Sequence, residues 1–459
     1  MSALTVAEPF CGAGGLSLGL HAAGFRAIWA GEMDKHACVT HRRAFPGVPL
    51  FEGKCTGEET LDIEPGELSL LAGGPPCQPF SNAGDRLGEW DPRDGFPLFL
   101  RLIERYRPRA IFMENVKGLL ARRHTDYVAQ ILASLTNLGY RTEVRVLQAA
   151  DFGVPQRRER AIFVGFREDL PFVWPKPTHS LEALVAQKYP DALTSGEIPK
   201  DATRYEAAAL RILSRAEPRA GTTTHAAWLA AQDAIALKPW VTVREALGDL
   251  VREYEPGKTL HTPPVAGSVN VELIDAGRGG HYDTEVASRV KSLLYKNTRP
   301  DVPADTVSAA AEQKGSEHCA RVALVVRNLG AGDGLGARAD DVAPTVPAKV
   351  AGQSGLAAMD ARPSTILRRL SHAEVARLQS FPDAHPWGGP STAIYRQIGN
   401  AVPPPLGEAV GRSIAAALEG IVYEPIPLFD TTPEVAVRYS SKPELRLPKP
   451  IAVWPRWPS

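Results

Sequence analysis

Over its first 165 residues the chain alternates short apolar runs with stretches of helical periodicity. Thr5–Phe10, Arg26–Gly31, Leu68–Ala72, Ala110–Met113 and Ala161–Phe166 are compact runs of strand type. Between them, Leu16–Ala23, Lys35–Phe45 and the segments 97–107 and 126–138 carry apolar residues at helical spacing. This alternation predicts an α/β fold, a doubly wound and mostly parallel sheet with helices on both faces. Gly73–Gly95 interrupts the rhythm. It is rich in Gly, Pro, Asp and Asn and directly follows a strand, where open α/β sheets place their ligands.

Beyond residue 167 the regularity fades into Ala-rich helical pieces (206–216 and 226–236) and Gly/Pro-punctuated stretches such as 262–282 and 328–356. A helical pattern returns at Leu367–Phe381, where Ser371 and Glu374 have the spacing of a capping box. Ala409–Leu418 is a further helix candidate. The last 39 residues, 421–459, hold eight prolines, which predicts an extended tail. The expected division is therefore 1–166, 167–365, 366–420 and 421–459.

Composition narrows the class. At 459 residues and 44% hydrophobic content the chain can build a substantial core. Its five cysteines, at 11, 38, 55, 77 and 319, form no C-x-x-C pair. That argues against a disulfide framework and a zinc site, no metal is expected, and it suits a reducing compartment. The N-terminus lacks a basic segment followed by an apolar run, and no stretch reaches the roughly 20 apolar residues of a membrane helix. A soluble cytoplasmic protein is expected. Net charge is zero, but residues 1–100 hold 7 Lys/Arg against 13 Asp/Glu, whereas 101–167 hold 13 against 6. Such asymmetry allows one basic face on a neutral molecule, and it also suits ordinary solvated helix faces.

Four motifs carry chemistry. In FCGAGGLSLGL (10–20), glycines 12, 14 and 15 follow a strand and open a helix, so a ligand can approach the backbone and the free N–H groups of the first turn. Glu32 ends the next strand, where an acid can accept hydrogen bonds from ribose hydroxyls. These features point to an adenosine-containing cofactor. Ser17 stands where a dinucleotide fingerprint has its third glycine, which favours S-adenosylmethionine over NAD. Alone, the cluster also suits a structural tight turn. In GGPPCQPFS (73–81), Cys77 sits among prolines 75, 76 and 79, a rigid polar setting that suits a nucleophilic thiolate better than a buried apolar sulfur. Glu114 closes the strand of IFMENVKGLL (111–120), where partial desolvation would let it donate a proton, although a surface ion pair also fits. In VPQRRERAIFVGF (154–166), Gln156, Arg158 and Arg160 alternate onto one face and suit a polar base or phosphate, unless the segment is a solvated edge strand.

These pieces, in this order, resemble the DNA (cytosine-5)-methyltransferase family of prokaryotic restriction–modification type. The resemblance extends to FPLF (96–99), RRLSHAEVARLQSFPD (368–383) and YRQIGNAVPPPLG (395–407). It covers about half the chain, roughly 1–167 and 366–415. It implies the S-adenosylmethionine-dependent methyltransferase fold. Residues 1–166 would be the catalytic and cofactor domain, 167–365 the target-recognition region, and 366–420 would return to the catalytic domain. Cys77 resembles the nucleophile that attacks carbon 6 of a flipped cytosine. Glu114 resembles the acid that holds the ring at N3 and the exocyclic amine. Arg158 and Arg160, with Gln156 beside them, resemble the residues that orient Cys77, the base and its phosphate. Phe10, Gly12 and Gly14 match the cofactor loop, Glu32 the ribose acid, and Met33 a flank of the adenine. Asp62 and Ile63 match an element near the adenine amine, Leu98 a position lining the cofactor, and Asn400 and Val402 further cofactor contacts. The departures are Cys11, where the family has Ala, and Glu8, where it has Asp.

The resemblance further implies double-stranded DNA as partner, a restriction endonuclease as a functional rather than physical partner, and a nucleoid-associated monomer. Ser81, Arg86 and Arg93 are the DNA-contact candidates, on a loop (78–95) able to close over the duplex. A tRNA cytosine-5 methyltransferase would share the motifs. The roughly 200 residues between QRRER and QIGN favour duplex DNA. Intact Cys77, Glu114 and Arg158 argue against an inactive regulator, and nothing in NAD chemistry requires Cys77 in such a turn.

Overall fold

The computed structural model describes residues 3–57, 59, 61–76, 95–200, 202–247 and 372–421, and the backbone of short strands at 325–328, 336–337, 343–344, 356–359 and 368–369. The first 166 residues build one seven-stranded sheet. Its strands are β1 (Thr5–Pro9), β2 (Arg26–Glu32), β3 (Leu50–Glu52), β4 (Leu70–Gly73), β5 (Ala110–Val116), β6 (Arg141–Gln148) and β8 (Glu159–Phe166). The two-residue β7 (Gln156–Arg157) lies outside it. Spatial order is β3-β2-β1-β4-β5-β8-β6. Only β8 runs against its neighbours, β5 and β6. The segment holding Arg158 and Arg160 thus leads into an interior strand, not the solvated edge that sequence left open.

Period two along the central strands sorts their side chains onto two cores. Ile111, Met113, Ala161 and Phe163 face α3 (Phe96–Tyr106) and α4 (Thr125–Asn137). Ala110, Phe112, Ile162 and Val164 face the other way, onto α1 (Gly15–Ala22) and the distant helix Pro404–Leu418. Asp34 starts α2 (Lys35–Ala44) by accepting the N–H groups of His36 and Ala37.

The middle of the chain adds a small helical unit. Helices α5 (Leu181–Lys188), α6 (Pro190–Ser195), α7 (Arg204–Leu213) and α8 (Thr223–Ala234) share a core of their own around Val185, Leu210 and Ala231. The Trp240 indole N–H ties the following segment to Asp151 at 2.9 Å. Next, α9 (Val243–Leu247) packs with α10 (His372–Leu378) and α11 (Ser391–Asn400).

Most predicted elements appear within a few residues of their expected bounds. The helix predicted over Leu367–Phe381 is shorter and starts at His372, because Arg368–Arg369 pairs with Leu356–Met359 as a strand. Ser371, its predicted cap, lies outside the described residues, as does the tail beyond 421.

The last helix, α12 (Pro404–Leu418), returns to lie along α1 at backbone contact. A Cβ at Gly19 would stand 2.5 Å from the Pro404 carbonyl oxygen and 2.6 Å from the Glu408 nitrogen. A Cβ at Gly411 would meet that of Ala23 at 2.8 Å. Gly19→Ala should therefore force the helices apart and cost about 1–3 kcal/mol, the usual range for overpacking. Thermal melting reads this, and an unchanged midpoint would mean the helices are not held so close.

Candidate active site

The carboxyl ends of β1, β2, β4 and β5 converge with the turn between α11 and α12. After β1 the chain bends through positive φ at Phe10 (62°), Gly12 (57°) and Gly14 (85°). Gly14 is the N-cap of α1, and a Cβ there would strike the Phe45 ring. At Gly12 the Cβ direction is empty to 4 Å, so the loop offers an open concave face. Glu32 fixes that face from below. Its Oε2 accepts the Gly12 N–H at 2.9 Å, and its Oε1 accepts the N–H groups of Met33 and Asp34, each at 2.7 Å. A carboxylate has about four acceptor sites, so one remains for a hydroxyl. Met33 beside it is 69% exposed, a large apolar side chain open to a flat ring.

Phe10, Gly12, Gly14, Glu32 and Met33 are thus brought together, and they could hold an adenosyl group. The α11–α12 turn reaches the same loop from the other side. The Val402 carbonyl oxygen would lie 2.4 Å from a Cβ on Gly15, and His385 Nε2 is 3.0 Å from the Ala13 carbonyl oxygen. Asn400 is exposed at the end of α11, while the Val402 side chain is buried in the core. Leu98 belongs to the core cluster against which Phe10 and Ile63 also pack, and Asp62 is exposed.

Beneath the loop lies a buried polar chain that sequence did not suggest. The Ser17 hydroxyl donates to Glu8 Oε2 at 2.6 Å, and His41 Nε2 lies 3.3 Å from the Ser17 oxygen. Burial pushes Glu8 up to about 8, the Ser17 bond pulls it partly back, and the charge of Glu32 adds to the rise. Burial, then His385, pushes His41 down to about 4. A neutral imidazole suits the site, because His41 Nδ1 has no hydrogen-bond partner among the described residues.

The second half of the site stands at the end of β5. Glu114 is buried and pairs with Arg160, whose Nε is 2.7 Å from Oε1. Glu114 lies opposite Ile162 in the antiparallel ladder, so Arg160 is its diagonal neighbour on the same face. Glu114 therefore faces a guanidinium as well as apolar neighbours. Asn115 next to it donates through Nδ2 to the Pro75 carbonyl at 2.9 Å, and Gly95 N–H donates to the Pro76 carbonyl at 2.9 Å. These bonds hold the two ends of the long loop against Glu114. Cys77, Ser81, Arg86 and Arg93 lie on that loop, outside the described residues. Asn115 was visible as a letter of the ENV motif, but its part in seating the loop was not.

Gln156 and Arg158 turn toward the end of the chain. Arg158, 1% exposed, donates through Nη2 to the carbonyls of Gly399 at 3.0 Å and Ala401 at 2.9 Å. Burial, then the Arg160 charge, pushes its pKa well below the usual value for a guanidinium. Gln156 Nε2 donates to the Leu378 carbonyl at 3.0 Å and to Gln379 Oε1.

A glycine cradle at the switch point of a seven-stranded sheet with one reversed strand defines the S-adenosylmethionine-dependent methyltransferase fold. The family model for C-5 cytosine-specific DNA methylases matches residues 4–416, and the chain belongs to that family. It is a DNA cytosine-5 methyltransferase. It is 30% identical to the Type II methyltransferase M.Eco47II of Escherichia coli over 91% of this chain and 80% of that protein. It is equally 30% identical to the Type II methyltransferase M.NgoMIV of Neisseria gonorrhoeae, over 90% and 98% respectively. Among solved structures it is similar to a putative DNA modification methyltransferase encoded within an E. coli prophage, with TM-score 0.49 and 21% identity over 91% of this chain and 100% of that one. No helix among the described residues is long and apolar enough to cross a membrane.

The Glu8–Ser17–His41 chain leaves a mark on stability against pH. Whichever state binds more protons gains as pH falls. Between 4.5 and about 8 the folded chain keeps the Glu8 proton that the unfolded chain loses, so stability declines as pH rises. Between about 4 and 6.5 the unfolded chain protonates the imidazole that the fold keeps neutral, so His41 acts in the opposite sense. Above 6.5 Glu8 acts without that opposition, and it should remove on the order of 2 kcal/mol by pH 8. Urea titrations of the protein and of Glu8→Gln at the two pH values check this. The variant should keep only the smaller decline that Asp151, pushed up to about 7 by burial, contributes just above pH 6.5, and equal declines in both would place the cause elsewhere.

Proposed function

We propose that the protein methylates carbon 5 of a cytosine rotated out of a specific double-stranded DNA sequence, using S-adenosylmethionine and a transient bond to Cys77. The observation that carries this reading is the Glu114–Arg160 pair set beside Pro75 and Pro76, immediately before Cys77. A buried carboxyl paired with a guanidinium, beside the segment that leads into Cys77, suits a pyrimidine.

When bound, S-adenosylmethionine supplies a methyl group on an electrophilic sulfonium. Its fit rests on the open face of Gly12, the remaining acceptor site of Glu32 and the exposed Met33. The protein's residues make the pyrimidine reactive. Attack by the Cys77 thiolate on carbon 6 turns the ring into an enamine whose electron density falls on carbon 5. Glu114 hydrogen-bonds or protonates N3, and Arg160 fixes the carboxyl in the orientation this needs. After methyl transfer a base takes the carbon 5 proton and elimination releases Cys77. The atoms involved are inaccessible in a stacked duplex, so the base must rotate out at a cost of a few kcal/mol.

The duplex would lie between residues 1–166 with 366–420 on one side and 167–365, the target-recognition region, on the other. Ser81, Arg86 and Arg93 would close on it. The Type II relatives support a restriction endonuclease as functional counterpart. We read the enzyme as a monomer acting at the nucleoid.

Cys77→Ser should abolish turnover yet leave duplex binding intact, read by labelled methyl transfer and gel shift. A duplex with 5-fluorocytosine at the target should trap a covalent adduct at Cys77, and a fully active Cys77→Ser enzyme would refute the covalent route. Glu114→Gln should lower kcat by about 10²–10³, the usual cost of one preorganised partner of the transition state. Methyl transfer to tRNA alone would redirect the reading to RNA.

A further inference from the structure

The proposed base side and cofactor side of the site are joined by a buried polar network with one amide at its centre. Gln379, 0% exposed, follows α10 and has a use for each end of its side chain. Its Oε1 accepts from Gln156 Nε2, and its Nε2 donates to the Ala401 carbonyl at 2.6 Å. The Ala401 carbonyl also accepts from Arg158. Gln156 and Arg158 lead into β8, which carries Arg160 against Glu114. Ala401 lies between Asn400 and Val402, whose carbonyl presses on Gly15 of the cofactor loop. Two amides and a guanidinium are thus buried where apolar side chains would bring the same segments together.

We propose that Gln379 is a positioning residue that sets the distance between the target base and the methyl donor. This rests on the reading of 10–15 and 399–402 as the cofactor side. Apolar contact allows sliding, whereas directional hydrogen bonds hold one geometry. Methyl transfer needs the donor carbon and carbon 5 in line at a near-attack distance, and a shift of about 1 Å can cost a hundredfold in rate. Gln379 touches neither reactant. It acts through the Ala401 carbonyl, which is gripped from both the QRRER segment and the α10 turn.

Gln379→Met keeps the volume and removes both bonds. Its partners are not orphaned, since Gln156 retains the Leu378 carbonyl and Ala401 retains Arg158, so the variant should fold. Single-turnover methyl transfer should slow about tenfold or more. Affinities for S-adenosylhomocysteine, by calorimetry, and for the target duplex should stay within about twofold, because each half of the site is intact. Gln379→Glu supplies a test independent of that variant's folding. Its carboxyl can donate to Ala401 only when protonated, so its rate relative to wild type should climb as pH falls. An unchanged rate in Gln379→Met, or a loss matched by equal losses in cofactor and DNA binding, would overturn the proposal, as would a flat pH ratio for Gln379→Glu. A wild-type protein that binds no S-adenosylhomocysteine would instead sink the functional reading beneath it.

Discussion

The backbone contact between α1 and α12 is the constraint on which the site depends. It places the α11–α12 turn against the glycine loop, and that turn supplies the carbonyls that Arg158 and Gln379 grip. Helices that touch at glycines have little freedom to slide. The contact joins residues 15–22 to 404–418, nearly the whole chain apart. Loop-closure entropy grows only logarithmically, by about 0.6 kcal/mol for each doubling of length. A long middle can therefore be accommodated without loosening the site, provided its ends are pinned. Asp151 with Trp240, and α9 with α10 and α11, pin them.

The site divides its charged groups by how each is compensated. Glu114 is buried against the diagonal Arg160, and Arg158 is buried against carbonyls. Glu8 has a hydroxyl for partner, and burial holds its proton to about pH 8. An Arg beside a buried carboxyl offsets part of its burial cost, whereas a carboxyl with only a hydroxyl is inexpensive to bury when neutral. A second ionised acid beneath Glu32 would compete for the same backbone N–H dipoles, and a neutral Glu8 leaves those to Glu32.

The sheet was legible in the sequence because its central strands are buried on both faces and read as continuous apolar runs, as in Ala110–Met113 and Ala161–Phe166. β6 escaped notice because RTEVRVLQ alternates charge with apolar residues at the sheet's edge. The helices α5, α6 and α11 are short or punctuated by Pro and Gly, and their stability comes from packing that a local pattern does not reveal. The motif residues were legible as letters, but their partners were not. Nothing in QRRER says that Arg158 would bond the backbone of QIGNA, since such a contact depends on a register 241 residues away. Gln379 was hidden for the same reason, inside a helix read for its period.

The glycine loop after β1 shows how strain is carried by its surroundings. Phe10 adopts φ 62°, a region that costs a non-glycine residue on the order of 1 kcal/mol or more. Its ring packs on the core beside Leu98, and a Cβ on Gly95 would lie 3.1 Å from its Cζ. Cys11 N–H bonds the Gly31 carbonyl at 3.0 Å, and Gly12 N–H bonds Glu32. The bend is thus held by β2 on one side and by the closing end of the Cys77 loop on the other. Phe10 is therefore a physical link between the two halves, because Gly95, which it touches, also clasps Pro76. The glycine loop and the loop that carries Cys77 share one ring as their spacer.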